Sequence, residues 1–387
     1  MHAEKKIEGL LCFAREPGGA EVISAFLRDI SPRSYFLFAK DYACDIFAEN
    51  GLGFSRYAGE TVQDLCSFLS VLQANHSVSI VITSAASMPE QDMTEKYLWK
   101  WARASGIPSI AILDQWQNYC QRFSGPDNTH MLEYLPDRIC VMDQYAADKM
   151  MDEGIHRDKI VISGHPVLSD FQKEKHVYDF LEINRIKGML KINPKKRLIL
   201  FVSEPFVTFP IEDMGFNEVD ILREVLLFLD HRLSKKNTPD NIGIIVKLHP
   251  KNVISDFASI KREFSIMERK GAIIWVQNEF SKIDLLSVAD MVVGMTSILL
   301  MEAIALGVPT ISLQIGAKRT DLCEAVNRKL IPLITDKKSM GVILSRLLDE
   351  PGYREKYIRS ISEYKTSANP SEYIRKVASS LIKQKEI

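Results

Sequence analysis

What this chain of 387 residues lacks narrows its function before any motif is considered. It has no charge bias, because 49 Lys and Arg stand against 50 Asp and Glu for a formal charge of −1. Without a general basic field, nucleic acid is not an expected partner, and any anion must be bound locally. Cysteine is sparse and unpatterned: Cys12, Cys44, Cys66, Cys120, Cys140 and Cys323 form no CxxC pair and have no matching histidine spacing. That argues against a zinc site or a disulfide framework and fits a reducing compartment, and no metal is expected. No apolar run reaches the roughly 20 residues that span a bilayer. The opening MHAEKKIEGLLCFAREPGG has neither the apolar stretch nor the cleavage signal of a leader. A cytoplasmic protein is expected. The basic tail IRKVASSLIKQK leaves peripheral association with the inner face of a membrane open, beside the plainer reading of a solvated helix face.

What is present is rhythm. Short apolar runs alternate with longer amphipathic segments, the pattern of βα units feeding a parallel sheet. Strands are predicted at 7–14, 34–39, 78–83, 108–113, 138–142 and 159–164, and again at 197–203, 242–248, 272–276, 291–294 and 309–313. Two α/β domains of similar size follow, over 1–180 and 190–350, with a charged hinge at 175–195. From 351 onward only helical pattern remains, and this tail is expected to pack back on the first domain.

Ligands of open parallel sheets bind beyond the carboxyl ends of the strands, so the residues that follow each strand carry the functional reading. In AREPGGAEV (14–22) a strand runs into a Pro-Gly-Gly turn and a helix predicted to begin near Ala20. Gly18 and Gly19 would let the backbone approach a ligand, although a tight turn alone explains them equally well. Glu16 and Glu21 flank the turn. In IIVKLHPKN (244–252) the strand stops on Lys247, His249 and Pro250, because proline cannot donate to the ladder. Lysine and imidazole at one strand end offer an ammonium and an N–H to an anion, whereas a lone loop histidine is more often structural. In ADMVVGMTSILLMEAIALGVPTISLQ (289–314) a strand ends at Gly294, and Thr296 and Ser297 are read as capping a helix that runs to Gly307. Two hydroxyls beside unpaired amides suit a phosphate, against the plain alternative of an N-cap. Glu302 on that helix reaches a ribose or faces solvent. In LFVSEPF (200–206), Ser203 and Glu204 precede a proline and are read as lining the site, and His165 of SGHPV is read as structural or site-lining. The stretch 115–135 is the longest polar and aromatic interruption, of the kind that is functional or mobile, and it follows Asp114.

Taken together, the Gly-Gly turn after the first strand, PDRICVMDQYAADKMMDEGI…KIVISGHPV, KLHP and ADMVVGMTSILLMEAIALGVPTI resemble glycosyltransferases of the two-Rossmann-domain GT-B architecture, across the whole chain. The His-Pro motif followed by a Ser/Thr pair looks like bacterial sialyl-, polysialyl-, Kdo- and polyglycerol-phosphate transferases, which use CMP- or CDP-linked donors. The resemblance implies an acceptor domain over 1–180, a nucleotide-donor domain over 190–350 and helices over 351–387. It implies metal-independent transfer from a CMP-linked donor to a glycan or lipid-linked acceptor in surface-polysaccharide synthesis, with no cofactor beyond that co-substrate. Catalysis would fall to Glu16, Asp114 and His249, with Glu21 as a further base candidate. Donor binding would fall to Gly18, Gly19, Ser203, Lys247, His249, Pro250, Thr296, Ser297 and Glu302. The acidic-acidic-Gly base motif of several sialyltransferases is replaced by REPGGAE.

The alternative on the same architecture is a UDP-N-acetylglucosamine 2-epimerase or nucleotide-sugar hydrolase. The usual epimerase start, a Gly-Thr-Arg-Pro-Glu turn, is not spelled by AREPGGAE, and its Ser-Gly-Gly is GMTS here. A non-catalytic ligand-binding module is the third reading.

Overall fold

The computed structural model describes residues 9–127, 130–174, 178–206, 211–234, 241–319, 322–364, 367 and 369–385. The chain divides into two compact units, one of residues 1–170 with 366–387 and one of residues 171–365.

The first unit holds a seven-stranded parallel sheet of β1 (Leu10–Ala14), β2 (Tyr35–Ala39), β3 (Ser55–Arg56), β4 (Ile80–Thr83), β5 (Ser109–Ile112), β6 (Arg138–Val141) and β7 (Ile160–Ile162). Its spatial order is β3-β2-β1-β4-β5-β6-β7, with every pair parallel. The second unit carries β8 (Arg197–Val202), β9 (Ile242–Lys247), β10 (Ile273–Val276), β11 (Met291–Gly294), β12 (Thr310–Leu313) and β13 (Leu333–Ile334), again all parallel. The order there is β10-β9-β8-β11-β12-β13. In both sheets the winding reverses once, between β1 and β4 and between β8 and β11. Such a reversal opens a crevice at the carboxyl ends of the strands. This is the expected α/β architecture, two Rossmann-like domains in a GT-B-like fold.

The central strands are buried on both faces, so they read as near-continuous apolar runs: LLCFA, IVIT, RLILFV and MVVG are buried almost throughout. The two strands that sequence reading missed, β3 and β13, lie at sheet edges and are two residues long, too short to leave a hydrophobic pattern. Residues 7 and 8 of the first predicted strand, and 175–177 of the expected hinge, lie outside the described residues. Most of the remaining hinge is the helix Phe180–Met189. Of the tail, the helix Pro351–Ile361 belongs to the second unit, where the Tyr357 hydroxyl donates to the Thr310 carbonyl. The helix Pro370–Lys385 belongs to the first, where it packs on the helix Pro17–Leu27 and the Ser371 hydroxyl donates to the Ala25 carbonyl at 3.2 Å. No helix among the described residues is long and apolar enough to cross a membrane.

Candidate functional site

In the first unit the Pro-Gly-Gly segment is already helix. It begins at Pro17 rather than near Ala20, because proline fits the first helical position, where its missing N–H costs nothing. The glycines have a structural use beside the one expected. A Cβ on Gly18 would lie 2.2 Å from Asp114 Oδ2, and one on Gly19 would lie 2.5 Å from the Ser84 side chain. The space beside this helix start is filled by the residues that follow β4 and β5, so the chain's own side chains make the close approach assigned to a ligand.

Asp114 is buried and paired. Its Oδ1 accepts from Arg122 Nη1 at 2.9 Å, and its backbone carbonyl accepts from His165 Nε2 at 3.1 Å. Arg122 also donates to the carbonyls of Gln117 (2.9 Å) and Ala85, tying the segment after β5 to the segment after β4. His165 Nδ1 accepts the Leu168 N–H at 3.4 Å and the ring stacks on Trp116. Glu16 is half-buried and accepts from Arg15 Nη1 at 2.6 Å, while Arg15 Nε donates to Asp41 at 2.6 Å. Two of the three carboxylates named as base candidates, Glu16 and Asp114, are therefore held by arginines. Glu21 is half-buried within the helix Pro17–Leu27. The interruption at 115–135 is not loose where it is described: Trp116, Tyr119 and Phe123 are buried, and Trp116 Nε1 donates to Asp143 at 3.0 Å.

A second charged cluster in this unit went unnoticed. Glu95 lies fully buried on the helix Thr94–Ala104, accepting from the Ser84 hydroxyl and the Ala86 N–H, and burial pushes its carboxyl above the usual range. Lys96 beside it is also buried, reaches the Ala86 carbonyl at 3.4 Å, and is pushed down to about 8 by desolvation. The signal was available, because Glu95 shares a helix face with Leu98, Trp99 and Ala102, and a carboxylate on an apolar face flags a buried polar site.

The second unit builds its site at the ends of β8, β9 and β11. Lys247 is the last residue of β9, in register with Val202 of β8 and Val276 of β10. Beyond it the chain turns under a buried asparagine that sequence reading missed. Asn252 Oδ1 accepts from the Ser203 hydroxyl (2.7 Å) and the His249 N–H (3.3 Å), and its Nδ2 donates to Glu218 at 3.2 Å. Ser203 thus serves the turn, and Pro250 is exposed on it. His249 Nδ1 accepts the Lys251 N–H at 3.0 Å, which leaves the proton of the neutral ring on Nε2. Burial, with Lys251 and Lys247 nearby, pushes His249 down to about 4. At neutral pH the ring is an uncharged N–H donor beside the Lys247 ammonium.

The hydroxyl pair separates. Thr296 does not cap a helix: its N–H and hydroxyl donate to the buried Glu204, at 2.7 Å and 2.5 Å, and the Met295 N–H joins them at 3.1 Å. Burial raises the Glu204 carboxyl, opposed by these hydrogen bonds. Ser297 Oγ accepts the Leu299 N–H at 3.2 Å, ahead of the buried helix Leu299–Leu306 that ends on Gly307 in the left-handed region at φ 76°. Glu302 does not face solvent: it is 2% exposed and accepts from Lys282 Nζ at 3.1 Å. Among the described residues no group of His, Cys, Asp and Glu is arranged to hold a metal ion.

No family model matches this chain, and no curated protein sequence does. Solved structures do, over nearly their whole length. The UDP-GlcNAc 2-epimerase from Neisseria meningitidis bound to UDP-GlcNAc aligns at 13% identity with a TM-score of 0.65, covering 95% of this chain and 98% of that one. A putative UDP-N-acetylglucosamine 2-epimerase from Listeria monocytogenes gives 13% identity, a TM-score of 0.64 and coverage of 97% and 96%. Anabaena Alr3699/HepE in complex with UDP gives 10%, 0.61, and coverage of 97% and 100%. At such identities the likeness establishes the fold, two Rossmann-like domains of GT-B type. It also corrects the expected activity: the structures aligned are UDP-GlcNAc 2-epimerases and a UDP complex, so a glycosyltransferase with a CMP-linked donor is not upheld.

Proposed function

We propose that this protein is a nucleotide-sugar enzyme of the UDP-N-acetylglucosamine 2-epimerase kind, whose second unit holds the phosphates of a UDP-sugar. The observation that carries the reading is the donor set at the carboxyl end of β9, where Lys247 supplies charge and His249, neutral and protonated on Nε2, supplies a directed N–H. Ser297, just ahead of the helix Leu299–Leu306, adds a hydroxyl. Its support from outside is the end-to-end likeness in fold to a structure bound to UDP-GlcNAc. Inverting C2 of a sugar requires that the C2–H bond break as the C1–O bond to UDP breaks, UDP leaving with that electron pair, and that a proton reach the opposite face of C2 as UDP re-adds at C1, so one group must take a proton from one face and another must give one to the other. Asp114 and Glu16 are the candidates, each held in place by an arginine. Asp114 has one oxygen engaged by Arg122 and the other directed to the helix start at Gly18.

The deciding experiment is incubation with UDP-GlcNAc in heavy water, followed by NMR. Appearance of the C2 epimer with solvent deuterium at C2 supports the proposal. Release of UDP and free sugar without exchange at C2 would make the enzyme a hydrolase instead. Absence of any thermal stabilisation by UDP or UDP-GlcNAc would overturn nucleotide binding itself, since a ligand of the folded state must raise its stability.

A further inference from the structure

At the reversal of the second sheet, β8 and β11 lie side by side, and the segment after β8 reaches across to the segment after β11. There a single carboxylate, Glu204, takes the N–H groups of Met295 and Thr296 and the Thr296 hydroxyl, at 3.1, 2.7 and 2.5 Å. The opposite side of the same turn is held too: the Met295 carbonyl accepts from the Ser312 hydroxyl at 2.5 Å and from Gln314 Nε2 at 3.2 Å. Glu204 is 7% exposed and its own backbone carbonyl accepts the Phe206 N–H at 2.8 Å, so neither partner of the clamp is loose. Amides that such a turn could offer a phosphate are thus occupied by a carboxylate of the chain itself.

We propose that Glu204 is a positioning residue for nucleotide binding. By fixing residues 295 and 296 it holds Ser297 and the start of the helix Leu299–Leu306 in the geometry that receives the phosphate. The inference rests on the reading that this unit binds a nucleotide. A displaceable plug is the rival role, and it is disfavoured because an expelled Glu204 would be a buried carboxylate stripped of its donors. Ser297 is suited to contact a ligand directly, since its oxygen accepts the Leu299 N–H while its hydroxyl proton can still be given outward.

The experiment compares wild type with Glu204→Gln and Thr296→Val by calorimetric titration with UDP, thermal melting, and amide exchange of the peptide 291–300. Gln keeps an oxygen for the two amides but replaces the second acceptor with a donor, and Val removes only the hydroxyl contact. The expected result is a cooperative melt, faster exchange at Met295 and Thr296, and UDP affinity about tenfold weaker in Glu204→Gln, the magnitude of a lost charge-assisted hydrogen bond. Thr296→Val should move in the same direction by less, and it carries the comparison should Glu204→Gln fail to fold. A purely structural role would lower the melting temperature and leave the UDP affinity of the folded protein unchanged, which overturns the proposal. Tighter UDP binding in Glu204→Gln also overturns it, in favour of the plug. Wild type that binds no UDP sinks the function reading and the nucleotide role with it, whereas wild-type exchange in Glu204→Gln sinks the clamp alone.

Discussion

Gly18→Ala separates two uses of the Gly-Gly turn. Gly18 lies in the first turn of the helix Pro17–Leu27, and its added Cβ would stand 2.2 Å from Asp114 Oδ2 and 3.2 Å from Asp114 Cγ. Asp114 cannot swing aside cheaply, because Arg122 holds its other oxygen at 2.9 Å and is itself fixed to Gln117 and Ala85. Replacing glycine by alanine at an open helix position gains about 0.5–1 kcal/mol. Overpacking a filled site costs about 1–3 kcal/mol, and loosening a buried ion pair adds to it. The net expectation is a loss of about 1–3 kcal/mol, which for a unit of about 150–250 residues lowers its melting temperature by about 2–12 °C. Gly341→Ala is the control: within the helix Lys337–Asp349 its Cβ would meet nothing within 4 Å, so it should stabilise the second unit. Differential scanning calorimetry of both variants makes the comparison, and Asp114→Ala should abolish most of the cost of Gly18→Ala. If Gly18→Ala is as stable as wild type while Gly341→Ala behaves as expected, Asp114 does not require the glycine, and a ligand's approach again becomes its reason.

Two further perturbations follow. His249 has an ordinary value of 6.5 and is pushed down to about 4 in the fold, so between those pH values the unfolded chain binds a proton that the native chain does not. Its contribution to stability is complete above pH 6.5 and is lost as pH falls toward 4, by up to about 3 kcal/mol. Urea midpoints from about pH 7.5 to about pH 3.5, a range that spans both values, should fall less steeply in His249→Gln, and equal slopes would contradict the half-buried, neutral ring. Arg122→Leu leaves Asp114 buried without its cation and frees two carbonyls. It should cost about 3–5 kcal/mol in denaturant titration, and Asp114→Leu in the same chain should recover part of that loss.

The strands were legible because parallel strands buried on both faces leave near-continuous apolar runs such as IGIIVK and MVVG, whereas the two-residue edges Ser55–Arg56 and Leu333–Ile334 carry too few side chains to form a pattern. The stop on Lys247, His249 and Pro250 was legible for a local reason, since proline ends a ladder wherever it falls. By itself, then, the amino-acid sequence determined the α/β rhythm, the strand-end positions of Lys247, His249 and Asp114, and the absence of a general charge field. Which residues face one another was decided only by the tertiary structure. Thr296 reads as a helix cap until β8 is seen beside β11, which brings Glu204 to it across 92 residues of sequence. Gly18 reads as a ligand turn until the order β1-β4-β5 sets the Asp114 carboxylate against it. Periodicity reports burial along one element, but the order of strands in a sheet is a long-range choice of packing, and the partners of the buried charges come from that order.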